Sequence, residues 1–302
     1  MLKTKTVSDK KIKVIKNPDN EMLAKGADWF PIVYSNIFEL AKKFSGKTTI
    51  CENILQHCAG KNTKFIFIVS TINKDPTWKR IVRYWENKGN DVLTYDDIYT
   101  EDEDGYRTNV IQEFINEQKS IIDDDSQIGS GVVKQQAQYI IPQQAQYIRY
   151  SPAIVQIGAG EKEAKVEKPL EYIEKKKNIK VIYPEYIIVI DDMGSAMRDK
   201  SITQLLKTNR HYKTKVILSG QNLNDLEPAA IRQLDYCLVF GRIPVDKLIK
   251  LREDLNLTLP EDKFLDIYKD ATAKPYQFLY IGRSPNGDIF RKSFNEEYID
   301  YE

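Results

Sequence analysis

The sequence is short of the residues that staple small secreted folds. It has three cysteines in 302 residues, Cys51, Cys58 and Cys237. An odd and sparse set excludes a disulfide framework, and Cys51 and Cys58 are too far apart for a C-x-x-C redox pair. Reduced, structural thiols are expected. Histidine is scarcer still. His57 and His211 lie far apart, with no cysteine or carboxylate at ligand spacing, so a zinc site is not expected; His211 is expected to pack near the sheet. Long apolar runs are also missing. The longest, "KFIFIVS" and "YIIVIDD", fall well short of the roughly 20 residues that span a bilayer. No apolar stretch follows the N-terminal lysines, so neither a membrane span nor a secretory signal is expected. Net charge is nearly absent: 45 Lys and Arg stand against 44 Asp and Glu. Total charge therefore argues neither for nor against a nucleic-acid partner, and only local distribution can. Apolar residues at 41% exclude a disordered chain.

What remains is a globular chain in which strands alternate with helices. "NIFEL" at 36–40 reads as a strand, and "TTICENILQHCAG" after it as a helix ending near Gly60. "KFIFIVST" is a β-branched, aromatic buried strand. "PTWKRIVRYWENKG" is a helix with Pro76 near its start and Gly89 at its end. Its Trp78, Tyr84 and Trp85 are expected on the buried face. "DVLTYDD", "EYIIVIDD", "KVILSGQN" and "YCLVFGR" are further strands. "MRDKSITQLLKTNRHY", "DLEPAAIRQL", "PVDKLIKLREDLN" and "LPEDKFLDIYKDAT" are helices. "FLYIGRSPNGDIFRKSF" alternates around Asn286-Gly287, a strong signal for a C-terminal β-hairpin. This alternation predicts an α/β fold with a mostly parallel central sheet flanked by helices.

Two segments differ. Residues 1–16 carry six lysines and one aspartate, within a basic N-terminal tail taken as 1–28. They are a solvated tail or an arm that touches phosphates. Residues 121–180 are low in complexity, with "QQAQYI" at 135–140 and again at 143–148 followed by a run of charge. Two copies are too few for a solenoid. The segment reads as an insertion between a first core half at 29–120 and a second at 181–302.

The chemistry lies around residues 41–48, "AKKFSGKT". The phosphate-loop pattern G-x-x-x-x-G-K-[ST] is complete except for its first glycine, which is Ala41. The tripeptide GKT alone is weak evidence. Here it falls between a strand and a helix, where loop amides and the helix amino end cradle phosphates. Ser45, Gly46, Lys47, Thr48 and Thr49 are the candidate nucleotide-binding residues. Lys47, expected to be exposed in the loop, would reach the terminal phosphates, and Thr48 would hold Mg²⁺. Ala41 is compatible with the loop if its φ stays negative.

The second element is "IIVIDD", a central strand ending in two carboxylates. Asp191 would hold the Mg²⁺ water shell, and Asp192 would orient or deprotonate the attacking water. The bland alternative makes the aspartate an N-cap of the next helix. The third is Gln221, after the strand "KVILSG", which would sit beside the terminal phosphate if that strand lies between the two motif strands. In a ring hydrolase, an assembly that only the resemblance given below implies, hydrolysis commonly needs an arginine from the neighbouring subunit. Arg232 is the candidate, on the expectation that it lies near the carboxyl ends of the strands, with Arg210 and Arg242 as alternatives.

In these stretches the sequence resembles a known family. "FIVSTINKDPTWKRI", "IIVIDDM" and "NRHYKTKVILSGQNLNDLEPAAIRQLDY" are similar, in the same order, to segments of the poxvirus-type viral genome-packaging ATPases. These occur in giant viruses, virophages and Polinton-like elements and belong to the FtsK/HerA superfamily of P-loop NTPases. The resemblance covers residues 30–120 and 181–245, roughly half the chain. It implies a RecA-like fold with an added strand between the two motif strands. It implies ATP and Mg²⁺ at Lys47, Thr48 and Asp191, hydrolysis by Asp191 and Asp192, and Gln221 as sensor. It also implies a homo-oligomeric ring, a pentamer or hexamer, driving double-stranded DNA into a capsid through capsid or portal components. The location would be host cytoplasm, a viral factory or the virion. Ala41 and the 121–180 insertion depart from the family pattern. A cellular or plasmid DNA translocase or helicase of the same superfamily, and a non-catalytic nucleotide-binding scaffold, remain open on the residues alone.

Overall fold

In the computed structural model the described residues are 23–127, 181–284 and 287–299. The lysine-rich residues 1–16 and the QQAQYI repeat lie outside them. The described residues, apart from Leu23 and Val181, belong to one compact unit.

In chain order, the first half contains β1 (Leu23–Ala24), β2 (Asn36–Leu40), α1 (Lys47–Cys58), β3 (Lys64–Val69) and α2 (Pro76–Asn87), then β4 (Val92–Tyr95), β5 (Tyr99–Glu101), β6 (Arg107–Asn109) and α3 (Val110–Gln127). The second half begins with β7 (Val181–Ile182) and β8 (Tyr186–Asp191). A 3₁₀ turn at Gly194–Arg198 leads to α4 (Lys200–Thr208) and β9 (Thr214–Gly220). Another at Leu223–Asp225 leads to α5 (Pro228–Ile231) and β10 (Tyr236–Phe240). The chain closes with α6 (Val245–Asp254), α7 (Glu261–Ala271), β11 (Phe278–Gly282), β12 (Ile289–Lys292) and β13 (Glu296–Glu297).

Nine strands form one sheet in the order β13-β12-β11-β10-β2-β9-β8-β3-β4. The six from β10 to β4 are parallel. The last three strands add antiparallel at the β10 edge. β11 and β12 pair from Gly282 opposite Ile289 to Leu279 opposite Lys292; Asn286 of the expected turn lies outside the described residues. The mostly parallel sheet flanked by helices read from the sequence is present. Two boundaries differ: residues 24–28, taken with the tail, hold the buried Ala24 and a turn whose Lys25 N donates to Ile182 O at 2.8 Å, and α3 continues through Gln127, so residues 121–127 are helix and not the start of the low-complexity segment.

The central parallel strands carry runs of buried apolar residues because both faces are covered, while the edge strand β4 is partly exposed. Alternate residues go to opposite layers. Phe38, Ile188, Ile190, Val216 and Leu218 join the larger core, which also holds side chains of α3 to α7. Ile37, Ile187, Val189 and Ile217 join a second core with Ile54 and Leu55 of α1 and Trp78, Ile81 and Trp85 of α2. Trp78 and Trp85 are buried as expected. Truncating a central side chain such as Phe67, fully enclosed in that second core, would cost about 3–5 kcal/mol. α1 and α2 are clamped by a two-pronged ion pair, Arg80 Nη1 and Nη2 to Glu52 at 2.8 and 2.6 Å. α2 starts at Asp75, whose carboxylate accepts from Thr77 N at 2.8 Å, with Pro76 at its first position.

This framework aligns the carboxyl ends of β2, β9 and β8. Leu40 pairs with Gly220, and Asp191 with Ser219. In open parallel sheets, ligands bind at this edge.

Candidate active site

At the end of β2, Ala41 N donates to Gly220 O at 3.0 Å. Ala41 is buried and is not among the residues with positive φ, so its methyl meets the condition the loop sets. The left-handed turns fall instead at Phe44 (φ 62) and Gly46 (φ 89). Gly46 caps α1 without a side-chain hydrogen bond, and the first turn of α1 carries no acid. Neither the cap nor the first turn thus supplies a carboxylate of its own to the positive end of the helix dipole, which suits an anion site.

Lys47 opens α1 and is the centre of the site. Contrary to the expectation of an exposed loop lysine, it is only 8% exposed. Its Nζ lies 2.8 Å from Asp191 Oδ1 and 2.5 Å from Asp192 Oδ1. Burial lowers the lysine pKa, but attraction and hydrogen bonding to the two aspartates outweigh it, and the net shift is upward. Asp191 is buried; its Oδ2 accepts from Trp78 Nε1 at 3.2 Å. Asp192 has φ 54 and is partly exposed. It does not cap the following turn, which starts at Met193 without a side-chain cap; Asp199 caps α4 instead, accepting from Ser201 N. Gln221 Nε2 stands 3.5 Å from Asp192 Oδ1, a long contact that still places the amide beside the carboxylate. Gly220, just before it, is needed for space: a Cβ there would sit 2.9 Å from Met197 Cε and 3.4 Å from Phe38.

The structure thus brings Gly46, Lys47, Thr48, Asp191, Asp192 and Gln221 to one sheet edge. Thr48 follows Lys47 on α1, while Thr49 is exposed. The donor set suits Mg²⁺, a hard ion commonly held by one or two protein oxygens plus phosphates and waters. Among the described residues no group of three or more His, Cys, Asp or Glu could hold a metal ion.

One buried acid escaped the sequence reading. Glu39 of β2 is 0% exposed, and neither carboxyl oxygen has a hydrogen-bond partner. It lies abreast of Ser219, which in turn lies abreast of Asp191, so three polar side chains form a row on adjacent strands. Ser219 Oγ and Ser45 Oγ are likewise buried without a partner. Burial pushes the Glu39 carboxyl well above the usual range, Asp191 adds to the shift, and Lys47 opposes it. The available signal was a single carboxylate inside an apolar strand.

Arg232 is not where it was expected. β10 runs parallel to β2, and Asp235 N, just before β10, bonds the carbonyl of Asn36, the first residue of β2. Arg232 precedes that point, so it lies at the amino edge of the sheet, opposite Lys47. There its carbonyl accepts from Arg283 at 3.2 Å. Arg210 lines the same amino-edge cavity and pairs with Asp235 at 2.8 Å. Arg242, after the end of β10, is at the phosphate-loop edge. His211 is exposed, and its neighbour Tyr212 is the residue that packs into the core. His57 stacks on Trp29 and contacts Asp28 at 2.7 Å. The three cysteines are buried and free. No helix among the described residues is long and apolar enough to cross a membrane.

No family model matches the chain, and no curated protein matches it. Solved structures similar to it include viral genome-packaging NTPases. They include the genome packaging NTPase B204 from Sulfolobus turreted icosahedral virus 2 in complex with AMP, with TM-score 0.45, 14% identity, and 86% of this chain and 97% of that chain covered. The same protein in complex with ATP-gammaS has TM-score 0.42 and 15% identity, covering 86% and 97%. B204, the DNA-packaging ATPase from Sulfolobus turreted icosahedral virus, has TM-score 0.46 and 14% identity, covering 86% and 98%.

Proposed function

We propose that the chain is a P-loop ATPase of RecA-like topology, with β9 as the added strand between motif strands β2 and β8, and that it drives double-stranded DNA into a viral capsid. The observation that supports the nucleotide chemistry is the double ion pair of Lys47 with Asp191 and Asp192. It joins the amino end of α1 to the end of a strand two places away in the sheet, with Gln221 beside it.

Lys47 exchanges the two carboxylates for phosphate oxygens when nucleotide binds. Freed of the lysine, Asp192 is the partly exposed carboxylate that orients and deprotonates water. Asp191, held by Trp78, would be placed to hold the water shell of a bound metal ion. Mg²⁺ at Thr48 and Asp191 would supply charge neutralisation of the phosphates. Gln221 touches Asp192 and carries the state of the site into the loop after β9.

The packaging role is supported by the ordered motifs shared with the poxvirus-type packaging ATPases. It brings with it a homo-oligomeric ring, a pentamer or hexamer, contacts with capsid or portal components, and a place in the host cytoplasm, viral factory or virion. The test is steady-state ATP turnover with and without double-stranded DNA, controlled by Lys47→Ala. Turnover stimulated by DNA and abolished in the variant is expected. Turnover indifferent to DNA would contradict the motor, and wild-type protein without turnover would point to a scaffold subunit.

A further inference from the structure

A cavity of about 280 Å³ opens beside the phosphate loop. Three loops build it: residues 42–45 after β2, residues 240–242 at the end of β10, and residues 272–277 between α7 and β11. They meet because β10 pairs with β2 on one side and β11 on the other.

Its lining is unusual in three respects. First, it carries four cationic side chains, Lys42, Lys43, Arg242 and Lys274, and no carboxylate. Second, two aromatic side chains on these loops face solvent: Phe44 is 96% exposed and Tyr276 69%. Third, Phe44, Arg242 and Tyr276 all have positive φ, at 62, 69 and 65°. Left-handed backbone is strained for bulky residues, and such strain gathers at ligand clamps. The Tyr276 ring also lies against the loop glycine, since a Cβ on Gly46 would be 3.0 Å from Tyr276 Cδ1.

Neither exposed ring belongs to a core cluster, so packing does not account for them. A heteroaromatic base does. Stacking on an aromatic face recognises any base by its π-surface, and a cationic rim suits a ligand whose other end is a chain of phosphates.

We propose that this cavity receives the nucleoside end of the nucleotide, with Tyr276 and Phe44 stacking on the base while the phosphates lie in the Ser45–Thr48 loop. The inference rests on the phosphate-loop reading above and adds the subsite that tells a nucleotide from a bare polyphosphate.

Titration calorimetry with Mg²⁺ and two probes, ATP and inorganic tripolyphosphate, separates the two ideas. Wild type is expected to bind both, ATP more tightly. Tyr276→Ala should weaken ATP binding by about tenfold and leave tripolyphosphate within twofold. Tyr276→Phe, which keeps the ring, should bind ATP as wild type does. Phe44→Ala provides a second truncation on a separate loop and should weaken ATP in the same selective way. If wild type binds neither probe, the phosphate-loop reading falls and this inference with it. If wild type binds tripolyphosphate as tightly as ATP, the phosphate loop stands and the nucleoside subsite is refuted. Equal loss of both probes in Tyr276→Ala, or no loss of ATP binding in either alanine variant, also refutes it.

Discussion

The Lys47 ammonium sits 2.8 Å from the buried Asp191 carboxylate, so the residue expected to contact phosphate is engaged with the residue expected to contact the metal. Removing the lysine leaves a buried aspartate without its cation. Lys47→Ala should therefore lose stability, on the order of 3 kcal/mol. The double variant Lys47→Ala/Asp191→Asn should recover part of it, because the amide carries no charge to strand. Thermal denaturation of the four proteins measures the coupling. Strictly additive shifts would show that the pair is not energetically linked.

Asp192 is the partly exposed partner and is expected to act on water. Asp192→Asn should slow ATP turnover by about 10²–10⁴-fold with Mg-ATP affinity kept within a few-fold. Parallel loss of affinity and turnover would make Asp192 a metal ligand and reverse the division of roles.

Glu39 gives the clearest pH signature. Burial raises its carboxyl pKa well above the usual range, with Asp191 reinforcing and Lys47 opposing the shift. The unfolded chain ionises near a pH of about 4.3, while the folded chain resists. Its contribution to stability is therefore full below that pH and is lost as pH rises toward the folded value. Glu39→Gln cannot ionise and escapes the loss. Its melting temperature relative to wild type should climb between pH 4.5 and 8. A constant offset across that range would contradict a neutral Glu39.

Arg232 stands at the amino edge of the sheet, across from the carboxyl edge where an arginine donated by a neighbouring subunit was expected. Arg232→Ala should keep ATP turnover within about twofold of wild type, as surface changes away from a site do. A tenfold loss would mean that the amino edge takes part in turnover.

Much of this was legible in the chain. The runs around β2, β8 and β9 are apolar at consecutive positions because both sheet faces are covered, and the motif residues follow directly at their ends. The misplacement of Arg232 has a topological cause. A parallel crossover must return to the amino edge before its next strand starts, so residues just before β10 and just after β9 fall on opposite edges however close they are in sequence. The burial of Lys47 was hidden because it depends on β8, which is remote in sequence and separated from β2 by β9. Glu39 was hidden because strand alternation says which face a residue takes but not which strands flank it. Ser219 and Asp191, its neighbours in the row, come from the other half of the chain. The pocket lined by Phe44 and Tyr276 needed the β10–β11 connection, which no motif marks.

The most direct measurement is phosphate release from Mg-ATP by purified wild-type protein beside Lys47→Ala. The account requires measurable turnover in the wild type and a fall of at least about 100-fold in the variant, the loss of a charge aimed at the transferring group. A Lys47→Ala protein that remains folded and hydrolyses ATP at a rate close to wild type would contradict the assignment of this site.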